Sequence, residues 1–168
     1  MTAPETAAYL NEHFAMLSGC VEAEGGTIDK FIGDAVMAFW GALEPVPDHA
    51  ARACRAALAI REAVAADNAG RRATGTSSVR VRIGIHAGTV IVGNIGASGR
   101  VNYTIVGDTV NTANRLEQLG KEIGENDADV TIILSGATVR AAGSVVRLSR
   151  FGTQRVRGRD GEVEVYRP

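Results

Sequence analysis

Cysteine is scarce in this 168-residue chain, which has only Cys20 and Cys54. Both lie in segments of helical spacing and neither has metal-ligand spacing. They read as reduced core or surface thiols rather than ligands or a disulfide. Long apolar runs are missing too. None reaches the ~18 residues that cross a bilayer, so no membrane contact is expected of this segment. The start, Met1 to Leu10, has no basic region followed by an apolar stretch and is not expected to act as a secretory signal. Charge of one sign is also lacking: the formal net charge is −1, so no bulk basic field attracts nucleic acid. What is present is apolar material, 45% of the residues. That excludes a disordered chain and suits one domain with its own core. Together these features point to a cytoplasmic domain, or the cytosolic part of a larger, membrane-bound protein.

Leu10, Phe14, Leu17 and Val21 are spaced four, three and four apart, which is one face of a helix. Gly25-Gly26 ends it. Two apolar arms, Thr27 to Ile32 and Ala35 to Trp40, flank Gly33-Asp34 and predict a β-hairpin with a tight turn. The second arm is apolar on both faces, so a buried central strand is expected. Pro45 and Pro47 break the chain, and Asp48 is placed to cap a helix running to about Asp67, with Ala53, Ala57, Ile60 and Val64 inward. Residues 68–78 are polar and small and read as a loop. Val79, Val81, Ile83 and Ile85 alternate with Arg80, Arg82, Gly84 and His86, a half-buried strand.

A glycine-punctuated β excursion then reaches about Val106. Asp108 is expected to cap a helix with Val110, Ala113 and Leu116 inward. A short strand covers Val130 to Leu134, and 137–141 form a helical turn. Val145 to Tyr166 read as two or three strands around a Gly158–Gly161 turn. Irregular alternation with a clear hairpin favours an α/β (α+β) sandwich with a mixed or antiparallel sheet over a doubly wound parallel sheet.

Several residues have two readings. Asp34 at the hairpin tip is either a turn residue or a rigidly held carboxylate suited to magnesium. Lys30, four residues earlier, is either solvated or a donor aimed into a pocket. Asn111 and Arg115, at i and i+4, share one helix face, either a polar outer surface or a pair directed at a ligand. Arg157 and Arg159 flank Gly158, as a solvated hairpin or a phosphate clamp. His86 reads as structural, Trp40 as core or interface, and Glu22 and Glu24 as a solvated helix end.

Their order and context decide between these readings. Gly25-Gly-Thr-Ile-Asp-Lys-Phe-Ile-Gly-Asp-Ala-Val-Met-Ala-Phe-Trp-Gly41 resembles the metal-binding hairpin of class III adenylyl cyclases. Arg82-Ile-Gly-Ile-His-Ala-Gly88 resembles their next core strand. Asn102-Tyr-Thr-Ile-Val-Gly-Asp-Thr-Val-Asn-Thr-Ala-Asn-Arg-Leu-Glu117 resembles their base-reading and transition-state segment, and Val156-Arg-Gly-Arg159 stands where the family has a basic phosphate-contacting turn. The resemblance covers nearly the whole chain, as one catalytic domain over 1–168. It implies the ferredoxin-like cyclase fold with a mixed, mostly antiparallel sheet.

Carried over by position, Asp34 would be one of two aspartates holding two metal ions, Mg2+ or Mn2+. Lys30 and Thr104 would read the base, Asn111 would orient the ribose, and Arg115 would stabilise charge on the reacting phosphate. Arg157, which replaces a family lysine, would contact the outer phosphates. The implied reaction converts ATP to cyclic AMP and pyrophosphate, by attack of the ribose 3′-oxygen on the α-phosphorus. A lysine donor and a threonine oxygen complement the adenine edge, whereas guanine would leave polar groups unpaired. Guanylyl cyclases of the family carry an acidic residue where Lys30 stands. Threonine at 104, where many relatives have Asp, resembles the subgroup that includes bicarbonate-stimulated cyclases.

Family members begin with a strand bearing a Phe-x-Asp-Ile-type motif and the other metal aspartate, and this chain begins at the helix after it. The expectation is therefore a domain without that first strand, inactive or nearly so alone, whose complete form is a head-to-tail homodimer. A catalytically dead nucleotide-binding or dimerisation module is the alternative. A diguanylate cyclase is disfavoured because Gly33-Asp34-Ala35-Val36 occupies its signature turn.

Overall fold

Thr2 opens the first helix by reciprocal capping. Its hydroxyl accepts the Glu5 N–H at 3.5 Å, and the Glu5 carboxylate accepts the Thr2 N–H at 2.6 Å. The computed structural model describes residues 2–42, 44–97, 99–124, 128–145, 147–155 and 162–168. Helix α1 spans Ala3–Ala23 and buries His13, Leu17 and Val21. Gly25, at φ +68°, takes the left-handed conformation that turns the chain out of it.

The hairpin follows as β1 (Thr27–Ile32) and β2 (Ala35–Phe39), antiparallel about Gly33-Asp34. Among the described residues β2 pairs with β1 alone, and its residues are half-buried or exposed. The expected buried central strand is therefore corrected. The apolar side chains Val36, Ala38 and Trp40 pack with Ile28 on α1 and the next helix instead of lying inside a wide sheet.

Helix α2, His49–Ala73, runs six residues beyond the predicted end at Asp67. Asp48 makes no side-chain cap; its carboxylate takes Arg52 Nε at 2.8 Å. Glu24, expected in solvent, likewise holds Arg55 Nε at 2.8 Å. Asn68, expected in a loop, is fully buried inside α2. Its amide donates to Val79 O at 2.8 Å and accepts Val79 N–H at 2.7 Å, which fixes the approach to the next strand.

That strand is β3 (Val81–Ile85). The hairpin β4 (Ile91–Ala97) and β5 (Arg100–Val106) follows, then helix α3 (Asp108–Ile123). The chain continues as β6 (Val130–Ser135), α4 (Gly136–Ala142), a short 3₁₀ turn, β7 (Ser149–Arg155) and β8 (Glu162–Arg167). The main sheet has the order β3-β6-β8-β7, with β3 and β6 parallel and the other pairs antiparallel. Alternation on β6 builds two core layers. Ile132 and Leu134 pack toward Ala50, Cys54 and Ala57 of α2 and Ala142 of α4, while Ile133 meets Leu116 of α3 with Val163 and Val165 of β8. Fully burying a side chain such as Leu116 contributes about 1.5–3 kcal/mol. The sheet is thus covered by helices on both faces, as the sandwich reading expects.

One contact sets the position of α3. A Cβ at Gly84 of β3 would collide with the Ala113 carbonyl and the Glu117 amide, so the helix backbone rests directly on the strand. Asp108 is the first helical residue rather than a capping side chain, and Thr112, Leu116 and Gly120 are the buried positions of α3.

Candidate active site

The β1–β2 and β4–β5 hairpins meet through side chains. Lys30 Nζ donates to Thr104 Oγ1 at 2.9 Å, and Thr104 Oγ1 donates to Asp29 Oδ2 at 2.8 Å. Asp29 Oδ2 also lies 3.2 Å from Lys30 Nζ. In a regular strand residues 29 and 30 point to opposite faces. Here the register passes from Ile28 opposite Ala38 to Lys30 opposite Met37, so Asp29 is the extra residue of a β-bulge. The bulge re-aims the strand and brings both side chains to Thr104. The Asp29 side chain is 1% exposed and that of Lys30 is 39% exposed, so the carboxylate lies beneath an ammonium that reaches solvent. Gly93 stands opposite Thr104 in the ladder and opens onto empty space.

The second group sits on α3. Gly107, at φ +141°, brings the chain into the helix. Thr109 Oγ1 donates to Thr89 O at 2.6 Å and Thr112 Oγ1 to Asp108 O at 2.8 Å, fastening the first turn. Asn111 is exposed and Arg115, one turn on, is half-buried. Arg115 Nη1 is buried with no hydrogen-bond partner among the described residues. A guanidinium carries five donors and no acceptor, so this nitrogen is placed to take an acceptor from outside the described residues.

Asp34 is exposed at the hairpin tip. Its charge reaches Tyr9 and His13 on α1: burial raises the Tyr9 phenol and lowers the His13 imidazole, and Asp34 adds to the first and opposes the second. Phe14 and Phe31, with ring centroids 4.3 Å apart, tie the tip to the same helix. Among the described residues no group of three or more His, Cys, Asp or Glu could hold a metal ion. A lone carboxylate does not by itself fit two divalent ions. Arg157 lies outside the described residues. His86, read as structural, bonds through Nδ1 to Ser135 Oγ at 2.8 Å.

Lys30 and Thr104 are thus brought together, and Asn111 and Arg115 share α3. Asp29 is the site residue that sequence reasoning missed. Its only signal was an acid beside Lys30 in a short hairpin arm.

Residues 1–167 match the family of adenylate and guanylate cyclase catalytic domains. The chain belongs to this family. It is 43% identical over 164 residues to adenylate cyclase 1 of Rhizobium meliloti (strain 1021), covering 96% of this chain and 24% of that protein. It therefore spans about a quarter of that relative's length. Its fold superposes on the adenylyl cyclase CyaB from P. aeruginosa with a TM-score of 0.87 at 31% identity, covering 99% of this chain and 83% of that one. The guanylyl cyclase Cya2 gives 0.80 at 29% identity, covering 99% and 81%. Neighbours of both nucleotide preferences share the fold, so base choice must reside in particular side chains.

Proposed function

We propose that these residues form the single catalytic domain of an adenylate cyclase, converting ATP to 3′,5′-cyclic AMP and pyrophosphate in intracellular signalling in the cytoplasm. The observation that carries the reading is the Lys30–Thr104 hydrogen bond of 2.9 Å, which sets a donor beside an oxygen acceptor. Adenine offers an acceptor at N1 and donors at its 6-amino group, the complement of that pair. Asn111 orients the ribose. Arg115, with a buried nitrogen that lacks a partner among the described residues, meets the α-phosphate oxygens as the 3′-oxygen attacks and pyrophosphate departs. Arg157 contacts the outer phosphates. Asp34 would be one ligand of two divalent ions, Mg2+ or Mn2+; among the described residues it does not belong to a group of three or more His, Cys, Asp or Glu side chains that could hold a metal ion.

The partner is a second copy of the domain, placed head to tail. Exposed Phe31, Ile32, Ile91, Ile95, Val101 and Tyr103 on the two hairpins support such an interface. The test is cyclic AMP production from ATP with Mn2+, by the natural full-length protein and by these 168 residues. Turnover by the full-length protein that Asp34→Ala abolishes is the expected result. A full-length protein that binds ATP without turning it over supports a nucleotide-binding module instead. Normal turnover after Asp34→Ala removes the metal assignment.

A further inference from the structure

We infer that Asp29 is a positioning residue that fixes the direction of the Thr104 hydroxyl proton and thereby makes the site select adenine over guanine. The inference rests on the cyclase reading above and deepens it.

The argument is one of donor and acceptor counting. A hydroxyl has one proton and two lone pairs, and a lysine ammonium has three protons and no lone pair. At the 2.9 Å contact Lys30 must therefore donate, and one lone pair of Thr104 is used. The Thr104 proton cannot point at Lys30. Two acceptors remain for it, Asp29 Oδ2 at 2.8 Å and the Ile105 carbonyl at 3.4 Å. The shorter contact to a carboxylate is the stronger one, so the proton lies on the Asp29 side. Thr104 then has one lone pair left and nothing to donate.

Threonine alone would not discriminate. Its hydroxyl can rotate, accepting from an adenine 6-amino group or donating to a guanine O6. A carboxylate has no proton to offer and removes the second option. Guanine O6 would then face an acceptor with no proton to give, a cost that a site built for hydrogen bonding turns into selectivity. The bulge is what makes this arrangement reachable, because regular alternation would turn Asp29 away from Thr104.

The test measures kcat and KM for ATP and for GTP in the natural full-length protein carrying Asp29→Asn, Thr104→Val or both. An amide can donate to Thr104 and free its proton for the pocket. The expected result is a fall of about tenfold in the ATP-to-GTP ratio of kcat/KM for Asp29→Asn, with GTP turnover rising. Adding Asp29→Asn to the Thr104→Val background should change the ratio less than about twofold, since there is no hydroxyl left to orient. An unchanged ratio in Asp29→Asn overturns the inference, as does an equal change in the Thr104→Val background. Asp29→Ser is the second variant should the amide not fold. Equal loss of both activities in both variants makes Asp29 purely structural and also overturns it. A wild-type protein that cyclises neither nucleotide sinks the cyclase reading itself, which separates the two failures.

Discussion

A buried guanidinium nitrogen without a partner costs about 1–3 kcal/mol or more, and a fold tolerates such a cost where a ligand recovers it. Arg115 Nη1 is in that state among the described residues, while Asn111 on the same helix face lies open. On the proposed role, Arg115→Ala should lower kcat more than it raises KM, because a contact to the phosphate would matter most when charge develops there. Arg115→Lys should recover little of the loss, since an ammonium cannot reproduce the planar fork. Steady-state kinetics with ATP decide both. Cys54 gives a second prediction. Burial pushes its thiol up to about 11. The folded state holds the neutral form while the unfolded chain ionises near 9, so stability present below pH 9 is lost as pH rises toward 11. Thermal melts between pH 8 and 11 should fall less steeply for Cys54→Ala than for the wild type. The candidate residues at the two hairpins and on α3 were legible because a motif fixes their order. Asp29 was not, because a one-residue bulge leaves no mark in an alternation pattern and reverses the face on which a side chain emerges.

Elements were easier to find than to bound. The hairpin arms, β6 and the start of α3 stand close to where the apolar runs and turn residues put them, and β3 lies within its expected span. The end of α2 does not: polar residues at 68–73 read as a loop, yet Asn68 is a buried bracket for Val79 and the helix continues to Ala73. Local composition cannot reveal a side chain whose partners are backbone atoms eleven residues away. The packing of α3 on β3 was equally hidden, since Gly84 reads as an ordinary polar-face position of a half-buried strand. Its hydrogen is the only side group that fits beneath Ala113 and Glu117. Gly84→Ala should therefore lift α3 and cost about 1–3 kcal/mol. A fall in Tm of about 2–4 °C per kcal/mol would show it. Because Asn111 and Arg115 ride on α3, activity should fall further than stability alone explains. An unaltered Tm would mean that α3 sits farther from the strand.

At the scale of the molecule, the apolar surface left open is concentrated on the β4–β5 ribbon. Directly opposed residues share a face. Ile91 and Ile95 therefore lie on the face of Gly93 and Thr104, while Val101 and Tyr103 lie on the other with Asn94 and Gly96. Ile91 is 64% exposed and Val101 57%, so in a single chain neither face of the ribbon is covered there. A two-stranded ribbon is marginal without a surface to pack on. A second copy of the domain would supply one, and Thr104, the proposed base reader, is carried on the same ribbon. On that proposal association and nucleotide reading are linked. Replacing exposed Ile91 and Val101 with lysine should leave the isolated fold almost unchanged, since surface substitutions usually lie within about 0.5 kcal/mol. It should disfavour burial of the ribbon, because an unpaired charge resists desolvation. Sedimentation of the double variant Ile91→Lys, Val101→Lys should shift from dimer toward monomer. Its cyclic AMP output per molecule should rise with protein concentration where that of the wild type is flat. A variant that stays dimeric and fully active would place the interface elsewhere on the molecule and leave the exposed ribbon to another partner.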